Sequence, residues 1–317
     1  MLMRNLTPAG LVILVHVLGA TTPTIASTQL TLSEWQAFML SEHSPTPGQG
    51  CFVASYPIQE WTAIPCRTTP PDNGSAGPFT IGNGYNDYVT NSPNYNYLST
   101  TGSFTAESDV TSEYDSGLGS LFGVNDFTVQ LNSNTYSYTY GGHLATAWEQ
   151  FVYVTDPSDA LGSILVEYWL FGYAKYGCPS GWTNDGSGNC YKNTNYLSES
   201  NLYVNAKQLT ELSTSGTVTS TTDTVKACVS GTCYSNSGGD LVSLGSGSYW
   251  YNSEWNVFGK SMGGQAVFNT GSSLSVKITV DESPTYELST TYTGESNNLG
   301  LGSYSTGTYT LAFSESN

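Results

Sequence analysis

The chain has 317 residues, of which 13% are aromatic and only 10% are charged. Carboxylates outnumber lysine and arginine by 25 to 8, which gives a formal net charge of −17 at pH 7. A nucleic-acid partner is excluded, because binding to phosphates requires clusters of basic side chains. Because basic residues are so few, few salt bridges depend on the carboxylates, and protonation of the carboxylates in acid costs little stability. We therefore expect the chain to tolerate acidic surroundings. The alternative explanation for this composition is that it is the ordinary surface of an exported protein, with no relation to acid.

The N-terminus has the layout of a secretory signal peptide. One basic residue, Arg4, precedes an apolar stretch over residues 9–20, and Thr24 and Ala26 suit the small-residue positions of a signal-peptidase site. We therefore expect residues 1–26 to be removed and the mature chain to be soluble, secreted and extracellular. A retained anchor is the alternative, and no later stretch approaches the roughly 20 apolar residues that a membrane span needs.

Six cysteines follow the signal peptide, and they lie as three pairs of near neighbours. Short loops close at low entropic cost, so we predict three local disulfides. The predicted pairs are Cys51 with Cys66, Cys178 with Cys190, and Cys228 with Cys233. Disulfides persist in oxidising compartments, which agrees with export.

The first predicted element is a short helix over residues 32–40. Thr31 suits its N-cap, and Glu34 lies where it completes a capping box. The surrounding segment, residues 27–100, is otherwise rich in proline and irregular. We predict that this segment is a propeptide, an extension that wraps the rest of the protein, or a set of extra edge strands.

Alternation of apolar and polar residues, which is typical of half-buried strands, dominates the rest of the chain. It is clear over residues 127–131, 274–280 and 308–313, while residues 164–173 are apolar on both faces, as in a central strand. Many strands with turn-rich connections predict an all-β fold. We expect an antiparallel β-sandwich or jelly roll over residues 101–317.

Clusters of Gly, Asn, Ser and Asp predict turns between these strands. They occur at residues 184–189 and 235–240. The first cluster lies within the loop that the pair Cys178 and Cys190 would close. We therefore predict a disulfide-closed surface hairpin there.

Several kinds of chemistry are excluded by what the mature chain lacks. It has two histidines, His43 and His143, and neither lies in a metal-ligand spacing. No nucleophile-elbow pattern accompanies them, and no phosphate-binding loop leads into a helix. We predict no metal and no cofactor.

Three segments place polar side chains among aromatic residues on predicted strands. They are residues 148–153, 166–170 and 253–258. By alternation, Glu167 shares a face with Trp169, and Glu254 shares a face with Asn256. A carboxylate on an otherwise apolar face has a raised pKa, which general acid–base catalysis uses. The alternative is that each glutamate lies on the solvent face of its strand.

The succession of Gln150, Glu167 and the dipeptide Glu254-Trp255 resembles the glutamic peptidases of the eqolisin type, over residues 148–258. Members of that family are secreted acid endopeptidases with a concanavalin-like β-sandwich, and a Gln and a Glu form their catalytic dyad. The resemblance implies that Gln150 and Glu254 are catalytic. It implies a substrate-binding role for Glu167, Trp169, Trp148 and Asn256.

The resemblance also implies a mechanism and a substrate. Glu254, as a carboxylate, would take a proton from a water molecule that attacks a peptide carbonyl group. The Gln150 amide would donate a hydrogen bond to the oxyanion that forms. The sequence departs from the family after Gln150, where Phe151 and Val152 replace small residues.

A second resemblance and two rival functions stay open. Residues 52–57 and 295–299 are similar to segments of uncharacterised exported bacterial proteins, which implies no function. Residues 165–169 look like the nucleophile strand of small xylanases, so that Glu167 and Glu254 would be the paired carboxylates of a jelly-roll glycosidase. A non-enzymatic carbohydrate-binding or surface-coat protein is the other rival. The partner is therefore a polypeptide or a glycan, and the oligomeric state is open.

Overall fold

Antiparallel strands are the main elements of the computed structural model, which describes residues 29–68, 87–92, 94–117, 123–260, 264–281, 288–293 and 297–317. The predicted signal peptide, residues 1–26, lies outside the described residues. Among the residues that are described, no helix is long and apolar enough to cross a membrane.

The strands follow one another in chain order along the described residues. They are β1 (Gly50–Ser55), β2 (Thr62–Ile64), β3 (Asp87–Asn91), β4 (Ser99–Ser108), β5 (Glu113–Asp115), β6 (Phe127–Ser133), β7 (Tyr136–Tyr140), β8 (His143–Asp156), β9 (Leu161–Phe171), β10 (Thr183–Asn184), β11 (Cys190–Asn193), β12 (Leu197–Glu199), β13 (Leu212–Val218), β14 (Thr222–Val229), β15 (Thr232–Gly239), β16 (Asn252–Gly259), β17 (Ala266–Phe268), β18 (Ser273–Val280), β19 (Ser289–Thr293), β20 (Gly300–Thr306) and β21 (Thr310–Ser316). The helical elements are α1 (Leu32–Leu40) and the 3-10 helices Ala174–Tyr176, Ser200–Leu202 and Ala206–Glu211.

Two large sheets contain nearly all of these strands. Sheet I has the order β2-β1-β15-β14-β13-β4-β18-β21-β20. Sheet II has the order β10-β11-β9-β8-β6-β16-β3-β19, with β12 also paired to β9 and β7 to β8. The neighbouring strands in both sheets are antiparallel, so the prediction of an all-β, antiparallel fold is confirmed.

The two sheets face each other across a shared apolar core, because alternate residues of their strands point inward. Trp255 of β16 packs on Phe104 of β4 with ring centroids 4.5 Å apart, and its indole donates a hydrogen bond to Thr214 Oγ1 of β13 at 2.7 Å. Phe151 of β8 lies against Gly216 of β13, where a Cβ atom would come within 2.5 Å of the ring. Each such buried aromatic side chain stabilises the fold by about 1.5–3 kcal/mol.

Gly102 of β4 lies directly against the indole of Trp255, with no room for a side chain. We expect Gly102→Ala to lower the free energy of unfolding by about 1–3 kcal/mol, because the added methyl group forces the indole or the sheet to move. Gly48→Ala is the matched control, since nothing lies within 4 Å of a Cβ atom at that position. Urea unfolding measures both variants, and equal stabilities would contradict the close approach.

The predicted helix is confirmed as α1. Thr31 and Glu34 form both hydrogen bonds of the capping box. Trp35 packs with the Cys228–Cys233 disulfide, on the face of sheet I that is turned away from the core. Burial of this one face of α1 holds the short helix against the sheet.

Residues 27–100 contribute strands to both sheets. In sheet I, β1 lies between β15 and β2, and in sheet II, β3 lies between β16 and β19. After α1, the carbonyl oxygens of Ser41 and Ser44 accept hydrogen bonds from Lys226 Nζ of β14 at 2.7 and 2.8 Å. Of the strands β1, β2 and β3, only β2 lies at the edge of its sheet, so the predicted extra edge strands describe β2 and not β1 or β3.

All three predicted disulfides are confirmed. The Cα–Cα distances are 5.4 Å for Cys51–Cys66, 5.6 Å for Cys178–Cys190 and 4.0 Å for Cys228–Cys233. In the second bridge, Cys190 is the first residue of β11, which pairs with β10 as a hairpin. Three disulfides indicate an oxidising environment.

One of the two predicted turns is wrong. Residues 235–240 fall largely within β15, which pairs with β1 on one side and β14 on the other. Asn236 Nδ2 donates to the Ile164 carbonyl oxygen at 2.9 Å, and the Ser237 hydroxyl lies 2.9 Å from Thr224 Oγ1. These contacts satisfy residues that otherwise favour turns, so tertiary pairing overrides local preference.

Candidate active site

Four polar side chains form a row across sheet II. The register places Glu254 of β16 opposite Asn132 of β6, Asn132 opposite Gln150 of β8, and Gln150 opposite Glu167 of β9. Residues directly opposite each other in an antiparallel ladder point to the same face. These four residues are named the polar row.

The polar row lies on the face of sheet II that is turned away from the core. Each member of the polar row has a direct chain neighbour in the core. These neighbours are Trp255, Leu131, Phe151 and Val166. Successive side chains of a strand point to opposite faces, so the polar row is on the other side. The same four strands therefore supply both the core and the candidate site.

Hydrogen bonds join the polar row into one network. Asn132 Nδ2 donates to Glu254 Oε2 at 2.9 Å, and Gln150 Nε2 donates to Asn132 Oδ1 at 2.9 Å. The indole of Trp169 donates to Gln150 Oε1 at 3.1 Å and to Glu167 Oε1 at 2.9 Å. One amide, that of Asn132, thus connects Gln150 and Glu254, and the predicted shared face of Glu167 and Trp169 is confirmed.

Glu254 combines a raised pKa with an oxygen atom that makes no hydrogen bond. Burial raises the pKa of Glu254 to about 8, and the hydrogen bond from Asn132 opposes part of that rise. Oε2 is held by Asn132, whereas Oε1 has no hydrogen-bond partner among the described residues. The raised pKa predicted for a carboxyl group on a buried strand face is confirmed for Glu254.

Two predicted site residues, Trp148 and Asn256, lie beside the polar row. The Trp148 indole donates to the Ser133 carbonyl oxygen at 2.7 Å, and its ring centroid is 6.5 Å from that of Trp169. Asn256 Nδ2 donates to Glu315 Oε2 at 3.0 Å. Trp148 therefore packs beside the network, and Asn256 contacts a second acidic group.

This second acidic group contains Asp87 and Glu315. Burial raises the pKa of Glu315 to about 7, although Asn256 and Asn297 donate hydrogen bonds to it. Burial, followed by repulsion from Glu254 and Glu315, raises the pKa of Asp87 well above its usual range. Glu254 therefore also interacts electrostatically with Asp87, an acidic residue outside the polar row.

Sequence reasoning missed Asn132, Asp87 and Glu315. Glu315 continues the alternation of Leu311 and Phe313, two buried residues of β21, so a carboxyl group on an apolar face was a usable signal. Asn132 and Asp87 carried no such signal. Their positions beside Glu254 follow from strand pairing, which the local pattern does not reveal.

The polar row is closed to solvent in this conformation. Gln150 and Glu167 have no exposed surface, and Glu254 is 4% exposed. Glu254 therefore becomes accessible from solvent only after the groups that cover it are displaced. Comparisons with family models, with curated proteins and with solved structures give no match.

Proposed function

We propose that the chain is a secreted acid endopeptidase of the glutamic type, built on a concanavalin-like β-sandwich. The observation that carries the proposal is the hydrogen-bonded connection of Gln150, Asn132 and Glu254 on one face of sheet II. These hydrogen bonds fix the position of the Gln150 amide relative to the Glu254 carboxyl group. Peptide hydrolysis requires its catalytic groups to be held in position in this way. Glu254 is the general base, and Gln150 stabilises the oxyanion.

The proposed reaction uses the two groups in turn. Glu254, as a carboxylate, accepts a proton from water while the water oxygen bonds to the peptide carbonyl carbon. The carbonyl oxygen becomes an oxyanion and accepts a hydrogen bond from Gln150 Nε2. Glu254 then returns the proton to the amide nitrogen as the carbon–nitrogen bond breaks. Asn132 donates its hydrogen bond to Oε2 of Glu254. Oε1 of Glu254 is therefore the oxygen that accepts the proton from water.

Burial makes the described conformation a latent form in this proposal. With a pKa of about 8, Glu254 is protonated between pH 2 and 5 and accepts no proton. Burial is the largest cause of that raised pKa. Uncovering the polar row therefore lowers the pKa of Glu254 towards the ordinary value of about 4.3, and the carboxylate then forms in the acidic range.

The geometry is unfavourable for a glycosidase that uses Glu167 and Glu254. Two strands, β8 and β6, lie between them. Strand spacing of about 4.8 Å separates their backbones by about 14 Å. Paired glycosidase carboxyl groups lie about 5–9.5 Å apart. Each carboxyl group is also held by its own neighbour, Trp169 or Asn132.

Exposed aromatic rings favour glycan binding as a second candidate function. Tyr176 is 46% exposed and stacks on His143 with ring centroids 4.1 Å apart. Tyr249 and Tyr251 are each 37% exposed. Exposed tyrosine rings present a flat apolar surface with a polar hydroxyl group, which suits contact with a sugar ring.

Proteolysis of a denatured protein between pH 2 and 5 tests the peptidase proposal. After incubation in acid, the wild-type protein is expected to cleave the substrate in the presence of pepstatin, and Glu254→Gln is expected to lose cleavage. Glu199→Gln, an exposed carboxyl group on β12 of the same sheet, is the control that keeps activity. Absence of cleavage by the wild-type protein would overturn the proposal and direct the protein to a glycan array.

A further inference from the structure

Three carboxylates converge between the two sheets. Glu149 belongs to β8 of sheet II, Asp223 belongs to β14 of sheet I, and Asp240 directly follows β15. One carboxylate oxygen of each residue lies within 4.8 Å of the corresponding oxygens of the other two. Glu149 precedes Gln150 and points to the opposite face from it, so this cluster is separate from the polar row.

Glu149 and Asp223 are buried and Asp240 is partly buried. Of the six carboxylate oxygens, only Asp240 Oδ2 accepts a hydrogen bond from the described residues, donated by Ser246 N at 2.9 Å. Glu149 and Asp223 have no exposed surface. Both oxygens of each, together with Oδ1 of Asp240, have no hydrogen-bond partner among the described residues. The Tyr168 hydroxyl group interacts with Asp223, but its single proton is donated to the Gly239 carbonyl oxygen at 2.8 Å.

Within the part of the chain that the structure describes, no positive side chain compensates the charge of this cluster. Among the described residues, no lysine or arginine forms an ion pair with the three carboxylates, and Lys260 pairs instead with Asp126 at 2.9 Å. Burial, followed by repulsion from Asp223 and Asp240, raises the pKa of Glu149 well above its usual range. Buried charges in proteins are otherwise paired or bound to metal ions.

We propose that Glu149, Asp223 and Asp240 bind a calcium ion. Calcium takes about 6–8 oxygen ligands, and carboxylates bind it through one or both oxygens. One oxygen of each carboxylate converges on this point, and five oxygens of the cluster have no donor among the described residues, so each carboxylate is available to bind the ion. Magnesium usually keeps several waters and zinc prefers nitrogen and sulfur, so both suit a buried carboxylate site less well.

A cavity of about 550 Å³ lies beside the cluster, although none of the three carboxylates lines it. Its lining includes Tyr168, which interacts with Asp223, and Gly239, which precedes Asp240. The prediction of no metal rested on histidine spacing and did not consider carboxylates. The three carboxylates come from separate strands, so only the pairing and facing of the sheets bring them together.

A bound ion would fasten sheet I to β8 of sheet II at this point. Metal binding then contributes to folding, because the unfolded chain does not hold the three carboxylates together. This inference is independent of the proposed peptidase activity. A bound calcium ion would raise the stability of the folded protein, whatever the role of the polar row.

Calorimetric titration of the EDTA-treated, dialysed full-length protein with calcium chloride at pH 7 tests the inference. We expect one calcium ion per chain, weaker binding of magnesium, and a melting temperature raised by about 5 °C at a calcium concentration a hundredfold above Kd. Asp223→Asn and Asp240→Asn are expected to weaken binding by about 100-fold or more. Glu113→Gln, which alters a buried carboxyl group on β5, is the matched control with unchanged binding.

Two results would overturn the calcium site. One is a wild-type protein that binds no calcium and melts at the same temperature in calcium and in EDTA, which would mean that protons alone neutralise the cluster. The other is calcium binding of unchanged affinity in both variants, which would place the ion elsewhere. The wild-type measurements decide the matter even if Asp223→Asn fails to fold.

Discussion

The free energy of unfolding is expected to fall by on the order of 5 kcal/mol between about pH 4 and pH 8, because buried carboxyl groups lose protons over that range. Burial raises the pKa of Glu254 to about 8, of Glu315 to about 7 and of Asp281 to about 6. A group with a raised folded pKa contributes its full stability below the unfolded pKa. That contribution is lost as the pH rises through the folded pKa.

Lys226 acts in the opposite direction but in another pH range. Burial lowers the pKa of Lys226 to about 7. The cost of burying its charge is therefore present below pH 7 and is relieved as the pH rises towards the ordinary lysine value of about 10.4. The loss of stability between pH 4 and 7 thus comes from the carboxyl groups.

Urea unfolding at pH 4, 6 and 8, with EDTA present throughout, measures this dependence. Glu254→Gln replaces the titrating group by a neutral one of the same shape, so it is expected to remove a large part of the fall. Asp159→Asn alters an exposed carboxyl group and is expected to keep the wild-type dependence. Greatest stability of the wild-type protein near pH 8, or a full dependence in Glu254→Gln, would contradict the prediction.

The second large effect is expected for Gln150→Ala, which should lower kcat for peptide cleavage by about 10²–10³. The lost amide is the proposed donor to the oxyanion, which exists only in the transition state and the tetrahedral intermediate. The Michaelis constant is therefore expected to change little. The pH profile is expected to stay in place, because Glu254 remains the base.

Gln130→Ala is the matched control for this measurement. Gln130 is a buried amide on the same face, and its Oε1 accepts a hydrogen bond from Gln150 Nε2 at 2.9 Å. It supports Gln150 and does not contact the oxyanion in the proposed mechanism, so a loss below about tenfold is expected. Equal losses in the two variants, with circular dichroism unchanged, would remove Gln150 from the oxyanion role.

Much of the fold was predictable from local sequence patterns. The capping box before α1, the alternation in β18 and the cysteine spacings all act over a few residues, and the structure confirms each of them. The alternation in β6 correctly predicts a strand, but the strand is buried on both faces and not half-buried. The strand β15 was not predictable. Its serines, asparagine and glycines favour turns, and only pairing with β1 and β14 makes them a strand.

The candidate site was predictable only in part, for the same reason. Aromatic neighbours identified Gln150, Glu167 and Glu254, because each lies in a locally unusual strand. Asn132 separates Gln150 from Glu254 across the sheet, and its strand shows ordinary alternation. The cluster of Glu149, Asp223 and Asp240 was missed because it joins β8 of sheet II to the β14–β15 hairpin of sheet I, which is distant from β8 in the chain.

Core and polar row occupy alternate residues of the same four strands. Substitutions within the polar row can therefore vary the chemistry of this face during evolution while the core side chains stay the same. Insertion or deletion of one residue in β6 or β8 has a different consequence, because it exchanges the two faces beyond that point. We therefore expect relatives of this protein to differ in length between these strands and to keep their lengths within them.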